Sequence, residues 1–243
     1  MFCRSLYFLE LRNRARAYMS KSIVLKISGK IVNPSNPQLI EKYSNIIRNL
    51  VDSGYRIAVV VGGGAPARDY ISCARSLGLS EAQADVIGIE VSRINALLLA
   101  YALGNYAYTP IPRSIDDLEK AWNSGKVVVL GGLQPGQSTA GTAAVVAEIL
   151  NIRRILYATD IDGVYDKDPK IYRDARKLDR VTVEELEKVL RQRYEAGGYE
   201  LLDPIALRII KRSCIEVTIF NGMEPENIFN ALKNEIGTLV VPC

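Results

Sequence analysis

The 243-residue chain contains no histidine, and that one absence excludes Ser-His-Asp triads, imidazole general bases and histidine metal ligands together. Chemistry here must run on lysine, arginine, carboxylates, backbone and metal. Cysteine is scarce as well: Cys3, Cys73, Cys214 and Cys243 lie far apart with no CxxC pair, so neither a zinc site nor a compact disulfide framework is expected. A reducing cytoplasm is the simplest setting for such a chain. Low-complexity runs, internal repeats and linkers are missing too, which leaves residues 21–243 as a single domain long enough for a substantial core. With 48% hydrophobic and 24% charged residues, the composition is that of an ordinary soluble globular protein.

The formal net charge is only +4, and the excess is concentrated in Arg4, Arg12, Arg14 and Arg16 of an N-terminal extension, residues 1–20. That gives no basis for expecting nucleic acid as a partner. The same stretch, MFCRSLYFLELRNRARAYMS, imitates a signal peptide, but Arg4 and Glu10 interrupt its apolar part and it is too short to span a bilayer. No membrane partner is expected. Phe2, Leu6 and Leu9 have helical spacing, which leaves open an Arg-rich amphipathic helix, a docked or frayed extension, or translation starting at Met19.

Strand-like runs at 22–27, 56–61, 126–130, 154–159 and 215–220 alternate with helical patterns near 37–53, 65–78, 81–103, 142–151, 182–194 and 204–213. That order predicts an α/β fold, and the near-continuous Val/Ile content of the strands predicts a mainly parallel sheet covered on both faces. Ligands of such sheets gather outside the carboxyl ends of the strands. The glycines gather there as well: Gly29, then Gly62 to Gly64, then Gly131 and Gly132, then Gly163.

Gly62, Gly63 and Gly64 end an apolar strand and lead through Pro66 and Arg68 into a helix. Glycines let backbone N–H groups approach a ligand closely, Pro66 suits a first helical turn, and Arg68 adds a cation where anions are already favoured, so the expected ligand is a phosphate. Lys26 stands inside IVLKISGK, where an apolar residue would be expected, and shares a face with Ser28 by period two before Gly29 and Lys30 turn the chain. It reads either as a solvated charge near a sheet edge or as an ammonium for transferring phosphoryl oxygens. The third loop, GGLQPGQSTAGTAAVVAE, sets Ser138 and Thr139 at a helix start, as plain caps or as part of a closure over the rest of a ligand. In ATDIDGVYDKDP, Thr159, three carboxylates, the ring of Tyr165 and Asp168 form either a second polar loop or ordinary Asp-Gly and Asp-Pro turns.

Six segments in this order, KISGK, VVGGGAPARDYI, ADVIGIEVSRINALLL, GGLQPGQSTAGTAAVVAE, TDIDGVYDKDP and LLDPIALRII, resemble the amino acid kinase superfamily and, within it, the archaeal type of uridylate (UMP) kinases, over roughly residues 22–242. The resemblance implies a three-layer αβα sandwich whose N-terminal half holds UMP and whose C-terminal half holds ATP. It places Lys26, Ile27, Ser28, Gly29, Lys30, Gly64, Thr159, Tyr165 and Asp168 on ATP. On UMP it places Gly63, Asp85 at the ribose, and the loop Leu133, Gln134, Pro135, Gly136, Gln137, Ser138 and Thr139. Arg68 serves both nucleotides. Lys26, Arg68 and Asp162 form the implied catalytic set, Asp162 without an assigned role. Asp203 matches a recurrent acidic position and is equally a helix cap. Many relatives carry aspartate where this chain has Ala140, and often Asn or Lys where it has Asp160.

The activity implied by the resemblance is ATP + UMP to ADP + UDP in pyrimidine nucleotide synthesis. Mg²⁺ would accompany ATP with no dedicated protein ligand. A homohexamer built from dimers, inhibited by UTP, is also implied. One rival is a kinase of another small acid or phosphate, such as acetylglutamate, carbamate or isopentenyl phosphate; Arg68 together with Asp85 speaks for a phosphate plus a ribose instead. The other is a non-catalytic nucleotide sensor or storage assembly on the same scaffold, against which the retention of Lys26 and its loop counts.

Overall fold

Six consecutive mostly β-branched or apolar residues make β1 (Ser22–Ile27), and the same reasoning gives β2 (Arg56–Val61), β3 (Val128–Leu130) and β4 (Arg154–Thr159). A computed structural model describes residues 21–167, 169, 171–194 and 201–242, so the extension 1–20 and Asp168 lie outside the described residues. The remaining strands are β5 (Val164–Tyr165), β6 (Lys177–Leu178), β7 (Arg180–Thr182), β8 (Glu216–Asn221) and β9 (Thr238–Val241). Between them run α1 (Pro37–Asp52), α2 (Gly64–Ser76), α3 (Glu81–Leu103), α4 (Ile115–Asn123), α5 (Thr139–Ile149), α6 (Val183–Tyr194), α7 (Pro204–Arg212) and α8 (Asn227–Leu232).

The main sheet has seven strands in the order β3-β2-β1-β4-β8-β9-β7, and β5 and β6 pair separately. Every neighbouring pair in the main sheet is parallel except β8 and β9. From β1 the chain builds outward to β2 and β3, then returns to place β4 on the other flank of β1. The carboxyl ends of β1 and β4 therefore form a topological switch point, where parallel sheets open a crevice for ligands.

Period-two alternation fills both faces of this sheet. Ile23, Leu25, Ile27, Ile57, Val59 and Val61 pack into one buried cluster with residues of α1, α3 and α8. Val24, Ala58, Val60, Ile155 and Tyr157 pack into the other with residues of α4, α5, α6 and α7. The outcome is three layers, helices on both sides of a mainly parallel sheet, as the strand composition predicts.

Several boundaries differ from the expectation. Helix α5 begins at Thr139 rather than 142, because the Ser138 hydroxyl accepts from the amides of Ala140 and Gly141, both at 3.0 Å. Helix α4 was hidden behind Pro110 and Pro112; Ser114 caps it by accepting from the Asp117 amide at 3.1 Å. Helix α3 starts at residue 81 as its pattern predicts, with Ser80 as cap in a reciprocal box with Gln83. By length and composition α3 could cross a membrane; in the fold it lies along the sheet and buries Ala84, Ile89, Ser92, Asn95, Ala96 and Leu99. Its outer face leaves Ile94, Leu98 and Tyr101 exposed.

The loops after β1 and β2 touch through their backbones. A Cβ on Gly29 would lie 2.1 Å from the Gly64 nitrogen and 2.6 Å from the Gly62 oxygen. Gly64, at a φ of +69°, would meet the Gly29 oxygen at 2.2 Å. Neither side chain can be admitted without parting the two loops. Gly29→Ala is therefore expected to cost ~3 kcal/mol or more, as overpacking against rigid backbone does, and to lower Tm by several degrees in a thermal melt. A Tm within a degree of the parent would show that the loops part easily.

Candidate active site

Lys26 lies in register with Val60 of β2 and Tyr157 of β4. Because β1 is central in the sheet, the side chain is 4% exposed, which overturns the reading of a solvated charge at a sheet edge. Its Nζ donates to the Tyr157 hydroxyl at 3.0 Å and stands 4.1 Å from the centre of that ring. Burial pulls the Lys26 pKa down from 10.5 to about 7, against an opposing pull from the Asp160 carboxylate.

The turn that follows is clipped from several sides. Ser28 is buried; its amide donates to the Ala158 carbonyl at 2.9 Å, and its hydroxyl accepts from the Lys30 amide at 3.3 Å. The Ile27 side chain joins the opposite core, so only its backbone faces this turn, where its carbonyl accepts from the Gly62 amide at 2.9 Å. Asn33 donates to the carbonyls of Gly29 and Lys30 at 2.9 and 3.1 Å. Lys30 then reaches across the switch point to Asp160 at 2.5 Å. Partial burial opposes ionisation of Asp160, but the hydrogen bond and charge of Lys30 outweigh it and hold the carboxyl below the usual range. Thr159, fully buried, adds a hydrogen bond from its hydroxyl at 3.2 Å.

Helix α3 secures the second and third loops from beneath. Asn95, 1% exposed, donates to the carbonyls of Gly62 and Gly63 at 3.0 and 3.2 Å. Ser92 accepts from the Gly132 amide at 2.8 Å while donating to Ile89. Arg93 donates to the carbonyls of Gly132 and Leu133 at 3.2 and 3.3 Å. With their carbonyls turned down toward α3, the glycine loops have a fixed backbone path. Arg68, on the first turns of α2, is exposed and enters no ion pair among the described residues. Its guanidinium is available to an anion.

The loop 133–139 is pinned at its tip and at its end. The Gly136 amide donates to the Asp85 carboxylate at 2.8 Å, so Asp85, placed at the ribose by the resemblance, also has an internal partner. Gln134 and Pro135 are exposed, while Gln137 accepts from the Thr142 hydroxyl at 3.3 Å. The Ser138 hydroxyl bonds the Asp203 carboxylate, whose other oxygen caps α7 by accepting from the Ala206 amide at 2.9 Å. Thr139 stands beside Gly62, its hydroxyl 3.5 Å from where a Cβ there would lie. Ala140 is buried in the apolar core. The two cap residues thus join the loop 133–139 to the C-terminal half of the chain.

Lys26 to Lys30, Gly62 to Gly64, Thr139 and Thr159 are therefore neighbours around the carboxyl ends of β1, β2 and β4, and Asp85 is tied to the loop 133–138. Asp162 stands apart. It is exposed, accepts from the Tyr165 hydroxyl at 2.9 and 3.0 Å, and meets neither Lys26 nor Arg68 among the described residues. Sequence reasoning missed Tyr157, Ser92, Arg93 and Asn95. Polar Ser92 and Asn95, three apart in the apolar run VSRINALLL, were the available signal for the last group. Among the described residues no group of three or more Cys, Asp or Glu side chains is placed to hold a metal ion.

Residues 21–221 match the amino acid kinase family. The chain is 48% identical to the uridylate kinase of Hyperthermus butylicus, over 90% of this chain and 97% of that protein. It is likewise 48% identical to the uridylate kinase of Sulfolobus acidocaldarius, over 90% and 99%. Its fold superposes on the crystal structure of uridylate kinase from Archaeoglobus fulgidus with a TM-score of 0.81 at 36% identity, covering 90% of this chain and 99% of the other. An aspartate kinase from Synechocystis shares the fold alone, with a TM-score of 0.71 at 20% identity. With sequence and topology agreeing over nine-tenths of its length, the chain belongs to the amino acid kinase family.

Proposed function

We propose that this protein is a UMP kinase, transferring the terminal phosphoryl group of ATP to UMP to give UDP and ADP for pyrimidine nucleotide synthesis. The observation that carries the reading is the buried ammonium of Lys26 at the switch point, beside Lys30 and the abutting glycine loops. The names and extents of the relatives support uridylate as the acceptor. We place ATP on the C-terminal half, against residues 26–30, Gly64, Thr159, Tyr165 and Asp168. UMP takes the N-terminal half, with Gly63, Arg68, Asp85 and residues 133–139.

Phosphoryl transfer through a loose transition state asks for alignment and charge neutralisation rather than covalent help. A polyphosphate entering the crevice replaces the hydration that Lys26 lost on folding, which favours its charged form. Lys30 exchanges the Asp160 carboxylate for phosphate oxygens, and Arg68 aligns the attacking phosphate. The acceptor phosphate is already an anion at neutral pH and needs no general base. Mg²⁺, when bound, shields the phosphate charge; it needs few protein ligands when phosphates and water hold it, which suits a chain with no carboxylate cage among its described residues. No residue is assigned to it.

Exposed Ile94, Leu98 and Tyr101 on α3 favour assembly with copies of the same chain, and a sedimentation mass would test for the hexamer. The free, exposed Cys73 and Cys214 suit a reducing cytoplasm. UTP, which carries the same base, would compete at the loop 133–139. A coupled assay with ATP, Mg²⁺ and a panel of monophosphates and small acids tests the acceptor. Turnover of another acceptor in preference to UMP would overturn the assignment.

Lys26→Met separates function from stability. Loss of one transition-state cation is expected to lower kcat by ~10²-fold or more. The folded pKa of Lys26 is depressed, so between about 7 and 10.5 the unfolded chain binds a proton that the folded chain does not. Stability therefore rises with pH across that window, and the full cost of the buried charge is present below it. At pH 6, without nucleotide, Lys26→Met should melt above the wild type. A kcat within a few-fold of wild type would remove Lys26 from the transfer step.

On the acceptor side, Arg68→Ala should weaken UMP binding far more than ATP binding in calorimetric titrations, because its guanidinium enters no ion pair among the described residues. Equal losses would refute the division of the crevice. Asp85→Ala should lower kcat/KM for UMP by a larger factor than for dUMP, since only UMP offers the second ribose hydroxyl to the carboxylate. An unchanged UMP/dUMP ratio would leave Asp85 as a loop anchor only.

A further inference from the structure

We infer that Tyr157 is a positioning residue for the transfer proposed above: its hydroxyl and ring hold the Lys26 ammonium, charged and aimed, at the carboxyl end of β1 before any nucleotide arrives. The inference rests on that reading for its link to catalysis, and on geometry for the contact itself.

Lys26 and Tyr157 are direct partners across the β1–β4 pairing and project from the same face of the sheet. That face is otherwise lined by Val24, Ala58, Val60 and Ile155. At 4% and 2% exposed, neither side chain has access to bulk water. An ammonium needs acceptors for its protons and has none of its own to give. Here the phenol oxygen at 3.0 Å supplies one acceptor, and the ring, 4.1 Å from Nζ to its centre, supplies the attraction of an aromatic quadrupole for a cation. An aliphatic residue at 157 would fill the space and supply neither.

Few other groups could take over this task. Asp160, from the loop after β4, already shares its carboxylate with Lys30 and Thr159. Helix α5, packed over this face, has Glu148 as its one titratable group, and that is bound to Arg212 at 2.8 Å. Asp203, at the start of α7, is engaged by Ser138 and by the Ala206 amide. From β2 the register partner is Val60. Tyr157 is thus the direct contact that replaces part of the hydration Lys26 has lost, beside the field of Asp160, and burial has already brought that lysine down to about 7.

The test compares wild type with Tyr157→Phe, which keeps the ring, and Tyr157→Leu, which keeps neither contact. In kcat/KM for ATP against pH at saturating Mg²⁺, the alkaline limb should move to lower pH by roughly half a unit in Tyr157→Phe and by about one unit in Tyr157→Leu. At pH 8 that is about a three-fold and a ten-fold loss, while at pH 5.5 the three proteins should agree within about two-fold. A second readout needs no turnover. In nucleotide-free protein labelled with ¹³C-lysine, the Lys26 Cε signal, identified by its loss in Lys26→Met, should titrate in the same order. An unmoved titration midpoint, or an equal loss of rate at every pH, would overturn the inference and leave Tyr157 as packing. If wild type transfers no phosphate to UMP, the proposed function fails, and the lysine titration still decides whether Tyr157 holds the cation.

Discussion

The burial of one ammonium beneath the carboxyl edge of a parallel sheet is the constraint on which the site depends. Lys26 must stand on β1 because that strand borders the switch point, yet a central strand offers no water. A charge in such a place costs stability unless its hydration is replaced. Tyr157 replaces part of it from the neighbouring strand, and Asp160 adds a field from the loop beyond. The rest of the replacement is left to the ligand. A cation that the fold stabilises incompletely interacts more strongly with an incoming phosphate than one already neutralised.

Rigid loops complete that logic. The glycines after β1 and β2 invite reading as openings for a ligand, but Gly29 and Gly64 are required first by each other, since their backbones meet closer than any Cβ allows. The two readings are compatible. Loops locked together and tied to Asn95 and Ser92 by their carbonyls and amides are fixed in place by the fold itself. Donors fixed in advance stabilise developing charge without a further entropic cost at the moment of reaction.

Much of this was legible in the sequence, and for identifiable reasons. Strands β1, β2 and β4 were placed to the residue because long apolar β-branched runs end abruptly at glycine or at polar residues. Ser80 and Asp203 were readable as caps from residue type alone. What escaped was short or nonlocal. Strands β5, β6, β7 and β9 have two to four residues each, too few for alternation to show. Helix α4 has a good cap and two acidic residues in its first turn, but it is only nine residues long and follows two prolines. Tyr157 is one more apolar-looking residue in RILYAT until the β1–β4 register sets it opposite Lys26. Register is a property of two segments, and neither segment alone encodes it.

Two internal pairs occupy the positions that substrate groups are proposed to take. Asp160 holds Lys30 on the donor side, and Gly136 occupies the Asp85 carboxylate on the acceptor side. Lys30, Asp160 and Asp85 are therefore satisfied within the chain, and binding at them becomes an exchange of partners. Exchange of that kind yields less net affinity than capture by an unsatisfied group. It also penalises a ligand that breaks the internal bond without replacing it, which is how discrimination arises. On the proposed assignment, a nucleotide with three phosphates would repay the Lys30–Asp160 pair where a shorter one would not, and a ribose with both hydroxyls would repay Asp85 where a deoxyribose falls short. Selectivity in this site then comes from the bonds the protein already makes to itself.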